Sequence, residues 1–285
     1  VPHVPSAGVH ILKPSIPKHL AITQTLIEDV ICKPWIGAKY FFGEDMDYFQ
    51  EVRLFHYVWI PRCMDTSGFS SFKTRTFFIA FNLRCLIIPE NVSGVYYQNF
   101  NVAKRTFWNY YDMFRRRSPI FNMHIGRMAA DLSQQEGKGT VREPSCYNCY
   151  FKNGSHLMLP APGFIGDAKT SASLRFNSLG VDEWTKIDAT GSVGIDDQLI
   201  GRCTREAYNQ HHPFWCNHHL FLATAEDTLH PANDRYRAYA HEVKMGNPDY
   251  AIISYNFKDI SHRRMSSGKT YYEALREVKV LKDMK

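Results

Sequence analysis

The chain has 285 residues, 44% of them hydrophobic and 22% charged, which excludes a disordered or collagen-like polymer and allows a sizeable buried core. Its formal net charge of +6 comes from 34 basic and 28 acidic residues mixed along the chain, short of the polybasic blocks that commit a protein to nucleic acid or an anionic membrane. No run of 18 apolar residues occurs, which argues against a transmembrane helix.

Residues 1–17 carry four prolines and little periodicity, and read as an extended N-terminal arm. From Lys18 to Cys32 a loose helical stripe follows, ended by Pro34. EVRLFHYVWIP (51–61) and TRTFFIAFNLRCLII (74–88) alternate with period two, the second placing Phe77, Ile79, Phe81, Leu83, Cys85 and Ile87 on one face. Both predict strands covered on two sides. Phe107, Tyr110, Tyr111 and Phe114 then recur at helical spacing, with Arg115, Arg116 and Arg117 in the last turn and Ser118-Pro119 as the stop. Phe121, Ile125, Met128 and Leu132 predict a second short helix. The polar stretch SQQEGKGTVREPS (133–145) reads as a linker or long surface loop, dividing an aromatic-rich α/β region, 18–132, from a second α+β region, 146–285.

In that second region Asn153-Gly154 predicts a tight hairpin between two short strands. SASLRF (171–176), EWTKIDATGSVGI (183–195) and YAIISYNF (250–257) suggest further strands. A helix is predicted over 233–244, closed by Gly246, and another over 269–285. The fold class that results is α+β: mixed or antiparallel sheet segments, several amphipathic helices and the extended arm.

Chemistry-bearing residues concentrate in two places. Cys146-x-x-Cys149 is one short ligand pair, and Cys216 with His218 or His219 is a candidate second; together they would hold a structural zinc in the C-terminal half. Core thiols beside a turn, or a Cys146–Cys149 disulfide with a redox role, are the alternatives. Seven scattered cysteines favour a reducing, intracellular compartment, although sequons at Asn91 and Asn153 permit a secreted reading. Arg115, Arg116 and Arg117 beside Phe107, Trp108, Tyr110 and Tyr111 mix cations with rings, as single-stranded nucleic-acid sites do, and are the candidate RNA contact. No nucleophile elbow, Walker phosphate loop, HExxH or dinucleotide fingerprint stands out, and GSVGIDDQLIG (191–201) lacks the GK[ST] that a phosphate loop needs.

The run CNHHLFLAT (216–224), within residues 191–230, resembles the closing part of HNH (His-Me finger) endonucleases. That resemblance implies a metal-dependent nuclease, or a nucleic-acid-binding relative of one, in which His219 binds the catalytic metal and His211 or His212 is the general base. Without that resemblance, the absence of a catalytic motif predicts a non-catalytic accessory or scaffolding subunit of a multiprotein assembly. It would be zinc-stapled, docked on other protein subunits, and mitochondrial after removal of a targeting segment, since the chain is basic and begins at Val1.

Overall fold

A computed structural model describes residues 24–67, 72–97, 100–130, 146–160, 176–187, 218–224 and 230–255. The strands are β1 (Arg62–Asp65), β2 (Val92–Tyr97), β3 (Ile125–Ala130), β4 (Cys146–Phe151), β5 (His156–Pro160), β6 (Ser178–Asp182), β7 (His218–Leu222) and β8 (Tyr250–Ile253). The helices are α1 (Gln24–Cys32), α2 (Pro34–Phe42), α3 (Tyr48–Trp59), α4 (Lys73–Ile87), α5 (Phe100–Arg117), α6 (Pro119–His124) and α7 (Pro231–Lys244). All eight strands form one mixed sheet in the order β3-β4-β5-β2-β6-β7-β1-β8. From β5 to β8 every pairing is parallel, and only the β3–β4 and β4–β5 pairings are antiparallel. The two halves of the chain therefore interleave in a single sheet.

Helices cover both faces. Phe41, Phe77, Phe81, Phe107, Tyr111 and Phe114 belong to one core cluster, on the side of α2 to α5. Phe176, Trp184, Phe221 and Tyr239 form the other, beneath α7. A largely parallel sheet buried on both sides is an α/β arrangement, which corrects the α+β expectation; the expected mixed sheet is present.

Two predicted strands are helices. α4 is buried on every side from Thr76 to Ile87, so no polar stripe marks its 3.6-residue period and its run of rings mimics alternation. α3 starts at a capping box: Gln50 N donates to Asp47 Oδ1 at 3.0 Å, and Asp47 N to Gln50 Oε1 at 3.1 Å. The stripe expected through Leu132 stops after six helical residues, because pairing with β4 draws Ile125–Ala130 into a strand. The helix ending at Arg117, the helix before Gly246, the Asn153-Gly154 hairpin and the strand at 250 stand as expected. The N-terminal arm, the 133–145 segment and the 269–285 helix lie outside the described residues. No helix among the described residues is long and apolar enough to cross a membrane.

The position of α4 depends on a missing side chain. A Cβ at Gly180, in the middle of β6, would come within 2.5 Å of the ring tips of both Phe77 and Phe81. α4 can therefore lie directly on β6, which brings the first turn of the helix to the end of the strand. Gly180→Ala should lower stability by about 1–3 kcal/mol, the usual cost of overpacking, in urea unfolding; an unchanged midpoint would contradict this close approach.

Candidate functional site

The carboxyl ends of β1, β7, β6 and β2 gather along one edge of the parallel sheet, where ligands bind in open α/β folds. β1 ends at Asp65, which is wholly buried. Its carboxylate accepts from Arg53 Nε at 2.7 Å, Tyr57 Oη at 2.5 Å and the backbone N–H of Ser67 at 2.8 Å. Arg53 also reaches Ser67 Oγ at 3.1 Å, and that hydroxyl accepts from Tyr255 N at 2.9 Å. The chain leaving β1 is thus anchored before it turns. Arg53 compensates a carboxylate that would otherwise be buried alone.

After that anchor the sequence reads Ser67-Gly-Phe-Ser-Ser-Phe-Lys73-Thr74, the last two residues opening α4. Phe72, just before the helix, has φ 62 and ψ 20, a left-handed conformation that glycine adopts freely and that costs other residues roughly 1–2 kcal/mol. Lys73 Nζ donates to Ser67 O at 2.5 Å, to Ala223 O at 2.8 Å and to Thr224 Oγ1 at 3.3 Å. Thr74 Oγ1 donates to Asp182 Oδ2, the last residue of β6, at 2.7 Å. Thr224, just past β7, is tied in turn to Thr185: Thr185 Oγ1 donates to the Thr224 carbonyl at 3.0 Å. Between them stands Glu183, exposed and left-handed at φ 55.

Burial dominates the electrostatics. It raises the Asp182 carboxyl to about 6, against the partial relief given by the Thr74 hydroxyl, and it lowers the Lys73 ammonium despite nearby Asp65 and Asp182. A buried carboxylate beside a hydroxyl and an ammonium is short of positive charge.

A strand ending at Asp65 and a Lys-Thr pair opening a helix eight residues later match the spacing of a phosphate-binding motif. In the pattern G-x-x-x-x-G-K-[ST] the lysine reaches phosphate oxygens, and the hydroxyl residue holds Mg²⁺ with an aspartate from a neighbouring strand. Here Ser67 and Phe72 replace both glycines, which hid the motif in the sequence. The backbone at Phe72 nonetheless keeps the glycine-like conformation. The donor set fits a Mg²⁺–nucleotide: Lys73 for phosphate, and Thr74 with Asp182 for the metal.

No family model matches this sequence, and no curated protein does. Solved structures do resemble it. A mutant ATPase domain of the Thermus phage P74-26 large terminase superposes with a TM-score of 0.53 at 11% identity, over 88% of this chain and 93% of that one. The fold is similar to that of this terminase domain. The HK97 bacteriophage large terminase (TM-score 0.52, 14% identity) matches over 92% of this chain and 52% of its own. The large terminase of a thermophilic bacteriophage in complex with ATP-γ-S (0.51, 12%) matches over 82% and 49%. The chain thus spans about half the length of these whole terminases.

This likeness overturns the expected non-catalytic accessory subunit and its structural-subunit character, and it gives no support to a mitochondrial or zinc-binding one. The zinc reading also fails on geometry. Cys146 and Cys149 lie in β4 and His218 and His219 in β7, four strand spacings or roughly 19 Å apart. Among the described residues no three His, Cys, Asp or Glu side chains are grouped to hold a metal. Cys149 is a core thiol, pushed up to about 12 by burial. His218 caps α3: its Nε2 lies 2.9 Å from the Tyr57 carbonyl, near the orphan end of that helix. His219 is buried in β7 and lowered to about 3, first by burial and then by Arg62 and Arg235. Cys216, His211 and His212 lie outside the described residues. Each arginine of the 115–117 run has a partner within the chain: Asn122, Asp112 and Glu44. Of the Lys73–Thr74–Asp182–Glu183 group, sequence reading named none. The signals were a Lys-Thr pair eight residues beyond Asp65 and a Ser-Leu-Gly-Val run ending in Asp-Glu.

Because the folded-state value for Asp182 lies above that of an unfolded aspartate, ionising it opposes folding. That penalty is complete above about pH 6 and disappears as the pH falls toward 4. In metal-free, nucleotide-free protein, Asp182→Asn should therefore be more stable than the parent at pH 8, by on the order of 1–3 kcal/mol, with the difference closing by about pH 4. Urea unfolding at both pH values measures it; a variant less stable at pH 8 would contradict the assignment.

Proposed function

We propose that this chain is a nucleoside-triphosphatase domain of the terminase type, binding and hydrolysing ATP with Mg²⁺ at the carboxyl ends of β1, β6 and β7. The observation that carries this reading is the 2.7 Å hydrogen bond from Thr74, the residue next to Lys73 on the helix that lies against β6, to Asp182 at the end of that strand. Such a pair stands at the first turn of a helix, beside a half-buried lysine. The opposing carboxylate is costly there, and a cation would relieve it.

Each residue has a distinct task. Lys73, at the head of α4, donates to Ser67 O and Ala223 O, acceptors that phosphate oxygens would replace. Thr74 and Asp182 are the oxygen ligands for Mg²⁺. When bound, that ion neutralises the charge that develops on the transferring phosphoryl group. Glu183, exposed beside them, has the access needed to polarise the attacking water. Arg53 and the Ser67 backbone N–H hold Asp65, so the end of β1 is fixed where the chain leaves the sheet. Thr224 links Lys73 to Thr185 in the segment after Glu183, so the two sides of the site move together.

Phosphate release from Mg²⁺·ATP tests the reading. Glu183→Gln should slow it by about 10²-fold or more, the scale of a lost general base, while leaving nucleotide affinity near that of the parent. No release by the parent protein, or an equally active Glu183→Gln, would contradict it.

A further inference from the structure

Two polar side chains flank Asp182 without partners among the described residues. Tyr97 ends β2, is only 6% exposed, and its phenol oxygen makes no hydrogen bond. Glu183 is exposed, and no hydrogen bond or ion pair engages its carboxylate. Tyr97 pairs in register with Asp182 in the parallel β2–β6 ladder, which puts both side chains on the same face of the sheet. That face is the α4 side: the Tyr97 ring packs edge-on to Phe77 at 6.5 Å, one turn after the Thr74 that bonds Asp182. A buried hydroxyl without a partner costs roughly 1–3 kcal/mol, which phenylalanine in the same space would avoid. Glu183, the residue after Asp182 in the chain, offers an exposed carboxylate, which can only accept.

We propose that Tyr97 is a positioning residue: in the nucleotide-loaded protein its hydroxyl donates a hydrogen bond to the Glu183 carboxylate and holds it toward the water that Glu183 polarises. This rests on the triphosphatase reading above. It gives β2 a part in the site although that strand carries none of the residues assigned to phosphate or metal. It also explains why a polar atom is kept unsatisfied in an aromatic core.

Tyr97→Phe removes one oxygen and leaves the ring. In the nucleotide-free protein the variant should unfold at the parent's temperature or above it, because no hydrogen bond is lost. Affinity for Mg²⁺·ATP-γ-S should stay within about twofold, and kcat for ATP should fall about tenfold at unchanged KM. In a Glu183→Gln background the same change should leave the residual rate unaltered. Three results would each overturn the inference: a nucleotide-free Tyr97→Phe that melts below the parent, a parental kcat, or an equal loss of rate in both backgrounds. A parent protein that hydrolyses no ATP would instead remove the triphosphatase reading, and this inference with it.

Discussion

A hydrogen bond of 2.7 Å between Thr74 and Asp182 joins the first turn of α4 to the end of β6, and much of the fold is arranged so that it can form. α4 must lie almost on the strand, which Gly180 allows by presenting no side chain to Phe77 and Phe81. The helix must also be held from the other side. On its outer side Phe78 meets Phe107, Tyr110 and Tyr111 of α5, and Leu83 lies against Gly37 of α2. Arg84, farther along α4, donates to the Val58 carbonyl at 2.5 Å and to Ser178 Oγ at 2.9 Å, so one side chain pins α4 to both α3 and β6. The aromatic richness of the chain is spent on this packing. It is the rigid backing of a polar edge.

That edge carries charge at a cost that would be hard to explain in a purely structural protein. Asp65 is offset by Arg53 and Tyr57, and its environment is complete. Asp182 is not: a hydroxyl and a partly buried ammonium leave it raised to about 6. Lys73 meanwhile rests on two backbone carbonyls, acceptors that a phosphate oxygen can replace. The two imbalances are of opposite sign and lie on adjacent residues of the same helical turn and its neighbour strand. A Mg²⁺–phosphate pair would correct both at once.

Local rules found the elements whose signals are local. Asn153-Gly154 forces its hairpin with Gly154 at φ 86, and α5 shows its buried stripe because its other face, at Arg105, Asp112 and Arg116, meets solvent. α4 escaped notice because burial on all sides erases the polar half of the helical pattern, and α3 because its half-buried side carries Val52, Phe55 and His56 rather than charges alone. The site escaped for a different reason. Its pattern is conventionally recognised by two glycines, yet what the chemistry uses is a conformation and a Lys-Thr pair. Phe72 takes up the conformation with a ring attached. The histidine-rich run that drew attention instead ends in β7, where His218 secures the end of α3 and Ala223 and Thr224 just beyond hold Lys73. Spacing along the chain suggested one site; the strand order sets β4 and β7 apart.

Calorimetric titration of the protein with Mg²⁺·ATP-γ-S tests the central claim most directly, because it reads binding without hydrolysis. The account predicts saturable binding at one nucleotide per chain, and its loss, by tenfold or more in affinity, in Lys73→Ala whose unfolding remains cooperative. Binding of equal strength in Lys73→Ala, or no binding to the parent, would contradict it.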